Sequence, residues 1–174
     1  MFVIPASSAR HYHEKEKYGD LRDLCSKTHD SKLCWKLLKS ERSKFHTDTK
    51  GMVEAAIDLA RGKAEEIHHK LDRLREESKD EQLKQKYWSC SKNYNDAIGD
   101  LNEAKEMLRK RGHSGIPVLV DDVLNEVKSC HNDFDNGAFD PAHVQNRNKE
   151  FRVYADLVRV AVYRLFKETR DGEN

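Results

Sequence analysis

Cys25, Cys34, Cys90 and Cys130 are the residues with the most chemistry to offer in this 174-residue chain. Thiolates that hold zinc or run redox reactions come as Cys-x-x-Cys pairs, and no pair here has that spacing. Eight residues separate Cys25 from Cys34, and thirty-nine separate Cys90 from Cys130. An even number of widely spaced cysteines points instead to covalent cross-links. Two buried free thiols are the alternative, since a reduced cysteine behaves as a small hydrophobe.

Other constellations carry less. Asp133-Phe134-Asp135-Asn136-Gly137 resembles the start of a calcium loop, but its glycine comes one place early and no glutamate stands at the twelfth position. A turn at Asn136-Gly137 accounts for it. His68-His69 and His11-x-His13 lack the i, i+4 spacing and acidic partner of a helical metal site and read as surface residues. There is no Gly-rich phosphate loop, G-x-S-x-G elbow or H-E-x-x-H motif, and no carboxylate couple stands out from the many present. Neither an enzyme nor a bound cofactor or metal is expected.

The elements that must position these side chains are helices. Only three prolines and eight glycines interrupt a chain that is 36% charged and rich in helix formers. The signs nearly cancel, to a net charge of +1, so there is no overall pull toward nucleic acid, and no apolar run reaches the roughly 20 residues of a membrane span. Apolar residues recur at spacings of three and four along four segments. The first runs from Val53 through Ile57, Ala60, Ala64, Ile67 and Leu71 to Leu74, and the second from Leu83 through Tyr87, Cys90, Tyr94, Ala97, Leu101 and Ala104 to Leu108. The third holds Val120, Val123, Val127, Cys130 and Phe134, and the fourth Phe151, Tyr154, Val158, Ala161 and Leu165.

Short connections make such neighbours antiparallel, so the expected fold is all-α, an up-and-down four-helix bundle over residues 47–170. Residues 10–46 read as a helical hairpin extension, broken near Thr28-His29-Asp30-Ser31, and residues 1–9 as a signal-peptide remnant or a frayed terminus. Ser78 and Glu81 have capping-box spacing ahead of the second helix, which is expected to end at Arg109-Lys110-Arg111-Gly112. That basic run serves as a helix end rather than a nuclear signal. Pro117 and Pro141 fit first-turn positions of the third and fourth helices. In this arrangement Cys25 and Cys34 flank the hairpin turn, while Cys90 and Cys130 lie on the inward seams of neighbouring helices, so both pairs can close.

The run L-K-Q-K-Y-W-S-C-S-K-N-Y-N-D-A-I-G-D-L-N-E-A-K from Leu83, the C-S-K-T-H-D-S-K-L-C-W-K-L-L stretch from Cys25, Ser40 to Lys44, Lys50-Gly51, Cys130 and the final Y-A-D-L resemble the plant pectin methylesterase inhibitors, a group that shares a domain family with the invertase inhibitors. The resemblance covers residues 20 to 166. It implies a secreted, apoplastic, non-catalytic inhibitor with one disulfide in the hairpin and one between bundle helices. Its partner would be pectin methylesterase, bound one to one over the substrate cleft, or invertase. The resemblance places enzyme contacts at Lys92, Asp96 and Gly99 on one helix and at Asn125, Ser129 and Asn132 on the next. Of these, Asp96 and Ser129 keep the acidic or hydroxyl character usual at such positions. Where invertase inhibitors share a Pro-Lys-Phe element, Pro117 is followed by Val118, which favours the pectin methylesterase branch. A non-inhibitory structural or signalling bundle is the reading from a different class. The nine histidines add a further expectation, a weak association with anionic pectin at acidic pH.

Overall fold

The computed structural model describes residues 21–41, 44–45, 48–110, 113–135 and 139–171. The signal-remnant reading of residues 1–9, His11 and His13, the helix cap at Arg111-Gly112 and the Asn136-Gly137 turn lie outside these residues. Five longer helices follow a helical stretch at 21–26: α1 (Ser31–Glu41), α2 (Thr49–Glu77), α3 (Glu81–Arg109), α4 (Ile116–Asp133) and α5 (Val144–Asp171). Helices α2 to α5 form the expected up-and-down bundle, each packed on its sequence neighbour and α5 closing back on α2. The two longest, of 29 residues each, span about 43 Å at 1.5 Å per residue.

The seams read from the sequence are the core. All eight positions of the α3 seam are buried, as are all five of the third seam, and only Leu74 and Tyr154 of the other two remain partly accessible. α5 buries more than its own seam requires. Val153, Asp156, Leu157 and Val160 are also covered, because α1 packs on α5 from outside the bundle. The single 3.6-period stripe of a surface helix has become two stripes on a helix buried from both sides.

Helix ends differ from expectation at two places. Ser78 does not open α3. It caps the end of α2 with its backbone N–H donating to the Leu74 carbonyl, and the N-cap of α3 is Asp80, whose Oδ1 accepts from the amides of Gln82 at 2.8 Å and Leu83 at 3.0 Å. One carboxylate satisfies two free amides and places negative charge at the positive helix end, which a serine cannot do. Likewise Pro141 precedes the first turn of α5 instead of entering it. Asp140 reaches over it to accept from the amides of Val144 at 2.8 Å and Gln145 at 3.0 Å, and His143 turns the chain with φ 53°. Pro117 does stand in the first turn of α4, where its missing N–H costs nothing.

Both disulfides form as paired above, Cys25 to Cys34 and Cys90 to Cys130. The first closes the hairpin, where the Arg22 guanidinium also lies over the Trp35 ring at 4.8 Å. The second sits in a small polar network inside the bundle. The Tyr94 hydroxyl donates to Asn148 Oδ1 at 2.8 Å, and Asn148 Nδ2 donates to Cys130 Sγ at 3.2 Å. Burial pushes the Tyr94 hydroxyl far above the ordinary tyrosine range, so it stays a neutral donor. α3, α4 and α5 are thus locked in register by one covalent bond and two hydrogen bonds.

Candidate functional site

The Cys90 to Cys130 bridge brings the backbones of α3 and α4 to 4.6 Å between Cα atoms. With the cysteines turned inward, the helical period sends the opposite faces out to solvent. Lys92, Asp96 and Gly99 form one exposed stripe on α3, and Asn125, Ser129 and Asn132 form another on α4. A Cβ added to Gly99 would meet no atom within 4 Å, so the bundle itself has no steric need for glycine there.

The six residues do not share one concavity. Asn125 and Asn132 border a separate groove between α4 and α5. Between α3 and α4, the chemistry comes instead from carboxylates that sequence reasoning did not single out. Asp100 and Glu126 are half-buried, flanked by exposed Asp96, Glu103 and Asp122. The Asp100 carboxyl is held above its usual range, first by burial and then by the charges of Asp122, Glu103 and Asp96. Glu126 is raised for the same reason, by burial and then by Asp96, Asp100 and Asp122, with Lys92 acting in the opposite direction. The outer surface between α3 and α4 is therefore an acidic groove, with Lys92 as its local counter-charge. A signal was present in the spacing, because Asp96 and Asp100, and likewise Asp122 and Glu126, are i, i+4 pairs that share a helix face.

The histidines also differ from a uniform surface set. His68 Nδ1 lies 2.9 Å from Ser91 Oγ and 3.0 Å from the Ser91 carbonyl oxygen, and its Nε2 is 3.6 Å from Asp72, so it bridges α2 and α3. His29, in the hairpin turn, donates its backbone N–H to Asp156 at 3.1 Å and pairs its ring Nδ1 with the same carboxylate. Asp156 is almost fully buried and also pairs with Arg159 at 2.7 Å, which makes it the polar anchor of the hairpin on the bundle.

Among the described residues no group of His, Cys, Asp or Glu is arranged to hold a metal ion, and no helix is long and apolar enough to cross a membrane. Both pairs of cysteines are spent in disulfides, which leaves no thiolate nucleophile. Fold and surface together define a disulfide-bonded helical bundle that presents charged helix faces. Residues 19–163 match the plant invertase/pectin methylesterase inhibitor family, and the chain belongs to it. The family is one of inhibitors, not enzymes.

The chain is 26% identical over 140 residues to a pectinesterase inhibitor of Actinidia deliciosa, covering 80% of this chain and 76% of that protein. It is 25% identical over 128 residues to pectinesterase inhibitor 2 of Arabidopsis thaliana, covering 74% of each. Two crystal structures share the fold at 23% identity, each over 83% of this chain and 95% of theirs. One is a mutant form of a pectin methylesterase inhibitor from Arabidopsis, with a TM-score of 0.74, and the other is a pectin methylesterase inhibitor from Arabidopsis thaliana, with a TM-score of 0.63.

Proposed function

We propose that this protein is exported to the plant cell wall, where it inhibits a pectin methylesterase by binding one to one and covering the substrate cleft with the outer faces of α3 and α4. The observation that carries this reading is the acidic groove joined to two exposed stripes, on helices that a disulfide ties together. Crowded carboxylates with a single lysine among them suit a partner whose cleft rim is basic, and a rigid pair of helices loses little conformational freedom on docking. Asp96 and Ser129 are the assigned contacts on either side, with Asp100 and Glu126 between them. Lys92, Gly99, Asn125 and Asn132 complete the face, while α1 packs on α5 and the hairpin turn borders the groove beside Asn125 and Asn132.

The test is residual activity of pectin methylesterase and of acid invertase, side by side, with increasing purified protein. Methylesterase activity should fall to a floor at equimolar protein while invertase is unaffected. The Asp96→Lys, Asp100→Lys pair should weaken inhibition about a hundredfold, near 3 kcal/mol, because each reversal replaces an attraction with a repulsion. Inhibition of invertase alone would move the target to the other branch of the family. Inhibition of neither enzyme would leave a bundle without this function.

A further inference from the structure

We propose that the groove between α4 and α5 is a second binding site, which takes an extended polycarboxylate chain of the uronic-acid type. The groove has a volume of about 700 Å³ and is closed at one end by the hairpin turn. Four fixed cations line it: Lys128 from α4, and Lys149, Arg152 and Arg159 from α5. Against them stand two carboxylates, and both are already engaged. Asp156 lies at the floor, held by His29 and Arg159, and Asp30 caps α1 by accepting the Leu33 amide at 2.9 Å. Lys128, Lys149 and Arg152 are exposed and form no ion pair among the described residues. Three cations therefore share a groove whose acids are occupied elsewhere, on a chain whose net charge is only +1.

Shape narrows the ligand. Lys149 and Arg159 are ten residues apart on one helix, about 15 Å at 1.5 Å per residue, so a single small anion would reach only part of the site. A chain bearing a carboxylate on each sugar would meet several cations in turn. Lysine and arginine keep their charge across the physiological range, so the groove has these cations whether or not its His29 and His131 are protonated. The choice of uronate among polyanions rests on the inhibitor reading: a pectin methylesterase turns methyl esters into carboxylates, and its product is a polyuronate.

The experiment is equilibrium binding of a fluorescently labelled oligogalacturonate at low salt, without any enzyme. Wild-type protein should bind it, and should bind the fully methyl-esterified oligomer, which has no charge, at least about tenfold more weakly. Lys149→Glu with Arg152→Glu should lower affinity about tenfold or more, as expected from two exposed attractions lost and two repulsions gained. The equal charge change Lys70→Glu with Arg73→Glu, on α2 and outside the groove lining, should stay within about twofold. Circular dichroism of both variants should match wild type, since all four positions are on helix surfaces. Loss of affinity in both variants, no binding by wild type, or tighter binding of a dextran sulfate of equal length would each overturn the proposal. Methylesterase inhibition by the Lys149, Arg152 variant should be unchanged, so failure of this site and failure of the inhibitory face are read separately.

Discussion

On one side α4 closes a groove with α3 lined by Asp96, Asp100, Asp122 and Glu126, and on the other it closes a groove with α5 lined by Lys128, Lys149 and Arg152. The two are built from the same kind of helix surface and differ in what happens to the minority charge. In the acidic groove one lysine, Lys92, offsets several carboxylates. In the basic groove the carboxylates of Asp30 and Asp156 are drawn into a helix cap and a hairpin anchor, so the cations face solvent uncompensated. A net charge near zero thus hides two segregated patches, about one helix diameter apart. Each patch repels itself, a cost in stability of the kind retained where a surface has a binding role.

Removing what aligns the grooves should have the largest effect. The Cys90→Ser, Cys130→Ser pair opens a loop with a sequence separation of 40 and should cost about 4 kcal/mol in denaturant unfolding, as chain entropy predicts. Both grooves would then lose register together, and an unchanged unfolding midpoint would contradict their dependence on that bridge. Next comes the floor of the basic groove. Asp156→Ala strands the His29 amide and should cost about 1–3 kcal/mol, with faster proteolysis within residues 21–41, whereas Asp156→Asn should retain most of the stability.

Smaller effects separate binding from folding on the acidic side. Gly99→Ala should stabilise the protein by about 0.5–1 kcal/mol, because a mid-helix glycine is replaced where nothing crowds a methyl group. A loss of inhibition in that same variant would show that a partner approaches the bare backbone. The smallest change is expected for Asp100→Asn. A carboxyl whose folded pKa is raised binds its proton more tightly in the native state, so its contribution to stability is present below the ordinary carboxylate range and is lost as pH rises through the raised value. The variant should therefore melt about 1–2 °C higher than wild type at pH 7, with the advantage shrinking toward pH 4. An equal difference at both pH values would mean that Asp100 is not under the pressure described.

Much of this was legible in the residue order. A run such as Leu83, Tyr87, Cys90, Tyr94, Ala97 and Leu101 can be buried along one line only as a helix, and both cysteine pairs follow once neighbouring helices are antiparallel. The helix caps were less so: Ser78 and Asp80 both carry the chemistry to open α3, and geometry settled on the residue able to satisfy two amides at once. The second buried stripe of α5 was hidden because a carboxylate, Asp156, stands within it and is covered only when α1 packs on that face.

The candidate site divides the same way. Lys92, Asp96, Gly99, Asn125, Ser129 and Asn132 are outward because their own helix period makes them so, whatever packs nearby. That Asp100 meets Asp122 and Glu126, or that Lys128 joins Lys149 and Arg152, is another matter. Periodicity in the sequence settled each residue's direction around its own helix axis, together with the inward cysteines. Which charges came to face each other was decided only by tertiary structure, since a groove is made by two helices at once and depends on their pairing and relative height, quantities no single segment encodes.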